Sequence, residues 1–180
     1  MQNTQYIETF PSPIGDLTIA SDGEHLTGLW LAEQKYFMAN VDKTEERSDL
    51  PVFHEAREWL DTYFKGEDPG AIPAVKPQGT AFRERIWEFL TEIPYGELTT
   101  YGELARKIAA EKGVEKMSAR AVGGAVGHNP ISIIVPCHRV IGSNGSLTGF
   151  GGGIARKIQL LELEGIDVGR YTIPKKGTAL

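Results

Sequence analysis

The order of apolar and polar positions changes period along the chain. Residues 5–31 read as β: Tyr6–Phe10 mixes β-branched and aromatic residues, and Leu17–Ala20 and Leu26–Leu31 are short apolar runs. The segments PSPIGD (11–16) and SDGEH (21–25) between them are turn chemistry. Residues 32–51 are polar, with DKTEERSD (42–49) expected as a solvated loop or a sheet edge. The period then becomes helical. Phe53, Ala56, Leu60, Tyr63 and Phe64 share one stripe, Trp59 lies beside it, and Gly66 ends the run. Residues 67–80 hold three prolines and two glycines and read as a linker.

Beyond the linker the pattern is mainly helical. Thr80 is a candidate N-cap for a helix with Phe82, Ile86, Phe89 and Leu90 on one face and Pro94 as its stop. Thr99 or Thr100 caps a second helix from about Tyr101 to Ala110, and Ser118 caps a third that Pro130 stops. Ile131–Val135 is expected as a buried strand, residues 142–153 as loop, and Ile154–Glu164 as a last helix closed by Gly165. The tail from about Ile166 is expected to pack loosely. The fold class is therefore α+β: a small N-terminal α/β domain with an antiparallel sheet, residues 1–79 including the linker, and a mainly helical domain, residues 80–180. A helix–turn–helix fits the second part, but three short helices pack in any small α domain, and topology alone favours the plainer reading.

Composition adds compartment and partner. No apolar run approaches the ~18 residues of a spanning helix. MQNTQYIETF (1–10) has neither a basic n-region nor an apolar h-region, so no secretion signal is read. A single cysteine excludes an internal disulfide and, without an export signal, points to a reducing, cytoplasmic location. The net charge of −5 is uneven: residues 1–79 carry 6 Lys+Arg against 14 Asp+Glu (−8), leaving 13 against 10 (+3) for residues 80–180. Any contact with a polyanion belongs to the second part.

Three places break local rules. Gly123 and Gly124 sit inside the helix after Ser118, where each costs roughly 1 kcal/mol relative to alanine. Either the helix ends there or something must approach that face closely, and Arg120 is the one charge on it. Glu164, in the last turn of a helix, opposes the helix dipole: either it is an exposed acid with little effect, or it points inward at a partner, such as a histidine, that offsets the cost. Residues 142–153 are half glycine, yet they carry no Walker lysine and no G-x-G-x-x-G after a strand, which disfavours a nucleotide-phosphate cradle.

The chemistry centres on VPCHRVIG (135–142). A lone cytosolic cysteine is commonly a small inert hydrophobe, and the apolar approach through Ile133–Val135 fits that. His138 and Arg139 would instead favour thiolate. Neighbouring side chains on extended backbone point apart, so Cys137 and His138 couple only across a turn or through water. His25, His54, His128 and His138 show no metal-ligand spacing.

These words in order, RAVGGAVGHNP (120–130), PCHRVIG (136–142), LTGFGGG (147–153) and LLELEG (160–165), closely resemble the O6-alkylguanine-DNA alkyltransferases, strongly over residues 80–165. The resemblance implies a ribonuclease H-like N-terminal domain and a C-terminal winged helix that binds double-stranded DNA through its minor groove. It implies stoichiometric transfer of an alkyl group from O6-alkylguanine to Cys137, by a monomer without metal or organic cofactor. Carried over by position, His138 deprotonates the thiol through a water, Glu164 supports His138, and Asn129 braces the turn before the cysteine. Arg120 replaces the flipped nucleotide, with Ser118, Tyr101, Ala121, Gly123 and Gly124 on the DNA. Tyr101, Val126, Val135, Phe150, Gly151 and Gly152 form the base pocket. This chain lacks the N-terminal cysteines with which some members bind structural zinc, and Gly151 stands where some carry Ser or Ala. The rival readings are a non-catalytic lesion binder and a Cys–His hydrolase.

Overall fold

The computed structural model describes residues 4–174. Met1–Asn3, at the head of the segment read for an export signal, and the final six residues of the tail lie outside the described residues. Three strands run antiparallel in sequence order: β1 (Thr4–Phe10), β2 (Leu17–Ser21) and β3 (Leu26–Leu31). A fourth, β4 (Lys43–Glu46), pairs parallel with the outer edge of β1, so the sheet order is β3-β2-β1-β4 and the sheet is mixed rather than purely antiparallel. All four β4 residues are exposed, which is why no apolar alternation announced the strand. Helix α1 (Pro51–Phe64) starts on Pro51, whose fixed φ suits a first helical position, and lays Phe53, Ala56, Leu60 and Tyr63 on the core.

The linker is not free. Leu26 of β3 exchanges backbone bonds with it, donating its N–H to Ala74 O at 2.8 Å and accepting Lys76 N–H on its carbonyl at 2.8 Å. The same edge of β3 also takes Pro130–Ser132: Leu29 N–H donates to Pro130 O (2.8 Å) and Ser132 N–H to Leu29 O (3.0 Å). The segment leading to the cysteine is thus sewn to the N-terminal sheet.

Helices α2 (Ala81–Thr91), α3 (Tyr101–Lys112) and α4 (Ala119–Gly127) are capped by Thr80, Thr100 and Ser118, each accepting a backbone N–H three residues on. α4 packs on α2 and α3, and the Trp87 indole donates to Ala125 O at 2.8 Å. Two-residue strands β5 (Thr99–Thr100) and β6 (Val140–Ile141) pair parallel, with a 3-10 turn at Cys137–Arg139 leading into β6. Helix α5 (Ile154–Leu163) follows, with Glu164 as its C-cap.

Two expectations are corrected. Ile131–Val135 is buried but is not a strand: only Ile131 forms a bridge, and the chain then coils, with Val135 N–H on Ile131 O (3.0 Å) and Ile133 at φ +70. The Asn129 side chain replaces a ladder partner, donating from Nδ2 to Val135 O (2.8 Å) and Ile131 O (3.3 Å) while Oδ1 accepts Ile131 N–H (3.0 Å). A β-branched residue in the left-handed region is strained and persists only where its surroundings dictate it. Second, the tail through Thr172 is packed: Ile166, Val168 and Tyr171 cover Ile141, Leu147 and Leu161, and Leu147 N–H bonds Thr172 O at 2.8 Å.

Candidate functional site

Cys137 opens the 3-10 turn and is 5 % exposed. A turn rather than a strand carries Cys137 and His138, on consecutive positions. Burial pushes the thiol up; the Asn129 amide, the Lys157 ammonium and the N–H groups of Cys137 and His138 pull the other way and do not overcome it. Arg139 does not assist the thiolate as its position in the sequence suggested. Its Nε donates to Glu164 Oε1 (2.7 Å) and its Nη1 to Ile93 O (2.8 Å).

Glu164 is the hub. Its carboxylate accepts from His138 Nε2 (2.5 Å), the Tyr63 hydroxyl (2.7 Å), Arg139 Nε (2.7 Å) and Gly96 N–H (3.0 Å). Burial would raise its carboxyl, but the His138 and Arg139 contacts and the Gly96 donor hold it well below the ordinary range. The misplaced acid at the end of α5 is therefore paid for by four donors. His138 is fully buried, and that burial lowers it below the usual histidine range against the pull of Glu164. With Nε2–H on Glu164, the buried Nδ1 has no hydrogen-bond partner among the described residues.

Two residues of this centre, Lys157 and Tyr63, carry no motif that marks them in the sequence. Lys157 on α5 is 0 % exposed; Nζ donates to Val140 O (2.5 Å) and Thr148 O (2.8 Å), and burial brings its ammonium down to about 8. The available signal was its spacing, since Lys157, Leu160 and Glu164 fall on one face of α5 and all three are buried. In sequence, Tyr63 is one position of the apolar stripe of α1.

The remaining positions frame the loop 148–153. Tyr101 Oη donates to Thr148 O and Gly149 O, each at 3.1 Å, so its proton serves the loop in this state. Gly149 has φ +81, and a Cβ there would lie 2.5 Å from Tyr101 Oη. Phe150 is buried, and Gly152 lies so close to its ring that a Cβ would meet it at 2.7 Å. Gly151 O accepts Lys35 N–H at 3.0 Å, which ties the loop to the N-terminal part. Val126 and Val135 are buried in the core beneath. A cleft of about 340 Å³ reaches Pro136 and Arg139 but not Cys137. On α4, Arg120 and Ala121 are exposed, and Ser118, the N-cap, bonds Ala121 N–H at 3.2 Å. A Cβ at Gly124 would meet nothing within 4 Å, and one at Gly123 only the Tyr101 ring at 3.9 Å, so the fold itself does not require either glycine.

The sheet and helical parts thus meet around one buried thiol and, one residue on, a buried His138–Glu164 pair. Family models described as the 6-O-methylguanine DNA methyltransferase ribonuclease-like domain and DNA binding domain match residues 5–70 and 81–166. The chain is 50% identical over 163 residues to a methylated-DNA--protein-cysteine methyltransferase of Haemophilus influenzae (89% of this chain, 87% of the relative), and 48% identical over 159 residues to one of Mycobacterium bovis (88% and 92%). The solved structure of Mycobacterium tuberculosis OGT in complex with DNA is similar with a TM-score of 0.76 at 46% identity, covering 92% of this chain and 94% of that one. The chain belongs to the 6-O-methylguanine DNA methyltransferase family.

Proposed function

We propose that the protein repairs DNA by transferring an alkyl group, methyl above all, from the O6 position of guanine to Cys137. The observation that carries this reading is the buried Nδ1 of His138, without a hydrogen-bond partner among the described residues, in a ring whose other nitrogen is held by Glu164, one residue from the chain's single thiol. The relatives named above are methyltransferases acting on methylated DNA and a protein cysteine, and one similar structure holds DNA.

In this reading residues 1–79 form a ribonuclease H-like domain and residues 80–180 a winged helix, with α3 and α4 as the helix–turn–helix and the monomer as the acting unit. α4 enters the minor groove, its bare Gly123–Gly124 face against the backbone and Arg120 in the space of the flipped nucleotide. The extruded base is taken up beside Tyr101 and the Phe150–Gly152 loop, above Val126 and Val135. The Cys137 proton passes through a water to His138 Nδ1, and Glu164 stabilises the imidazolium. The thiolate attacks the alkyl carbon, the carbon–oxygen bond breaks, and guanine leaves with the electron pair and takes up a proton. Burial and the nearby Cys137 charge hold the Tyr101 phenol above its ordinary range, keeping it a proton donor toward the base. The thioether has no hydrolytic route back, so each molecule acts once.

The test is the intact-protein mass after incubation with a duplex carrying O6-methylguanine. A gain of one methyl group, mapped to Cys137 and absent in Cys137→Ser, is expected. No gain under reducing conditions would refute transfer.

A further inference from the structure

Tyr63 belongs to the N-terminal part, yet its hydroxyl ends in the catalytic network. The side chain is fully buried, its ring stacked on Trp59 (5.5 Å, 7° between planes) and edge-on to Tyr95 (6.2 Å) and His138 (6.4 Å). The single hydroxyl proton goes to Glu164 Oε2 at 2.7 Å, with Leu160 O a distant second at 3.4 Å. That leaves the phenol oxygen's lone pairs for His138 Nε2, 3.4 Å away. Nε2–H therefore finds two acceptors, Glu164 Oε2 and Tyr63 Oη, while a proton on Nδ1 would have none among the described residues.

We infer that Tyr63 is a positioning residue for alkyl transfer: by donating to Glu164 it tempers the charge of the carboxylate that holds His138 in the Nε2–H tautomer, so that Nδ1 stays unprotonated and free to accept the thiol proton. The inference rests on Cys137 being the alkyl acceptor. It also gives the N-terminal part a chemical task, since α1 delivers this hydroxyl to a residue of α5. The groups facing the His138–Glu164 pair are Tyr63 from α1, Tyr95 and Gly96 N–H from the turn after α2, Lys157 from α5, and Cys137 and Arg139 from its own turn. Of these, only Tyr63 donates a side-chain proton to the carboxylate oxygen that also receives His138.

The sign follows from the hydrogen bond. Without the hydroxyl, Glu164 Oε2 directs more negative charge at the ring, and imidazolium forms at a higher pH. In single-turnover transfer from an O6-methylguanine duplex, the acid limb of the rate profile of Tyr63→Phe should move upward by roughly 0.5–1 pH unit, the equivalent of one ordinary hydrogen bond. Imidazole nitrogen NMR shifts of His138, which need no turnover, should show imidazolium forming at the same higher pH. Fluorotyrosine at position 63 keeps the fold and strengthens the donor, so it should move the limb downward. A residue that only packs would move neither. Transfer by the unaltered protein with limb and imidazole titration unmoved in both variants overturns the role of Tyr63. No transfer by the unaltered protein overturns the functional reading beneath it.

Discussion

Gly124→Ala should make the protein more stable and a poorer DNA binder, two effects of opposite sign from one methyl group. Gly124 lies in the interior of α4, where glycine costs about 1 kcal/mol relative to alanine through backbone entropy. A Cβ there meets no heavy atom within 4 Å, so no clash offsets the gain. With about 2.1 cal/mol/K of unfolding entropy per residue, roughly 1 kcal/mol in a chain of this size raises Tm by about 2–4 °C. If this face rests on a sugar–phosphate backbone, the same methyl must be forced into a close contact, and affinity should fall about tenfold, roughly 1.4 kcal/mol. Differential scanning calorimetry gives the first number. Fluorescence anisotropy with a lesion-bearing duplex, in a Cys137→Ser background that prevents turnover, gives the second. Stabilisation with unchanged affinity would show that α4 does not meet DNA with this face, and destabilisation would refute the packing argument itself.

Transfer by the unaltered protein should slow as pH falls through the His138 value, which burial places below the ordinary ~6.5; a flat single-turnover profile would remove His138 from the mechanism. Glu164→Gln should cost about 3–5 kcal/mol, because Arg139 and the buried ring lose their anion. Since the folded carboxyl lies below its unfolded value, its contribution is complete above about pH 5 and is lost as acid protonates it, so Tm should fall with acid more steeply in the unaltered protein than in the variant; parallel Tm–pH curves would refute this. Lys157→Met removes the cation from Val140 O and Thr148 O, and amide hydrogen exchange at Gly149–Gly152 should accelerate; unchanged protection there would show that Lys157 does not hold the loop.

What could be read from sequence was local. Thr80, Thr100 and Ser118 cap helices because a hydroxyl and an N–H three residues on are within reach of one another whatever the rest of the chain does. Glu164 left two readings open, an exposed acid of little effect or an inward one with a partner, because a carboxylate at that helix end is unfavourable when unpaired. The failures were contacts between distant segments. Ile131–Val135 is apolar because it is buried, and burial alone does not distinguish a strand from a coil wound around the Asn129 amide. Tyr63 meets its carboxylate across 101 positions of sequence, a pairing no periodicity encodes. Arg139 sits two residues from the thiol but spends its charge on the carboxylate.

The near-complete enclosure of Cys137 bears on the working life of the molecule. A reagent that is consumed in use is worth only the number of copies still unspent when damage arrives. A thiol 5 % exposed, and held protonated by its surroundings, offers little to peroxides and small electrophiles diffusing through the cell. Enclosure thus acts as storage: it slows indiscriminate depletion and keeps the stock in reserve for alkyl groups carried in on an extruded base.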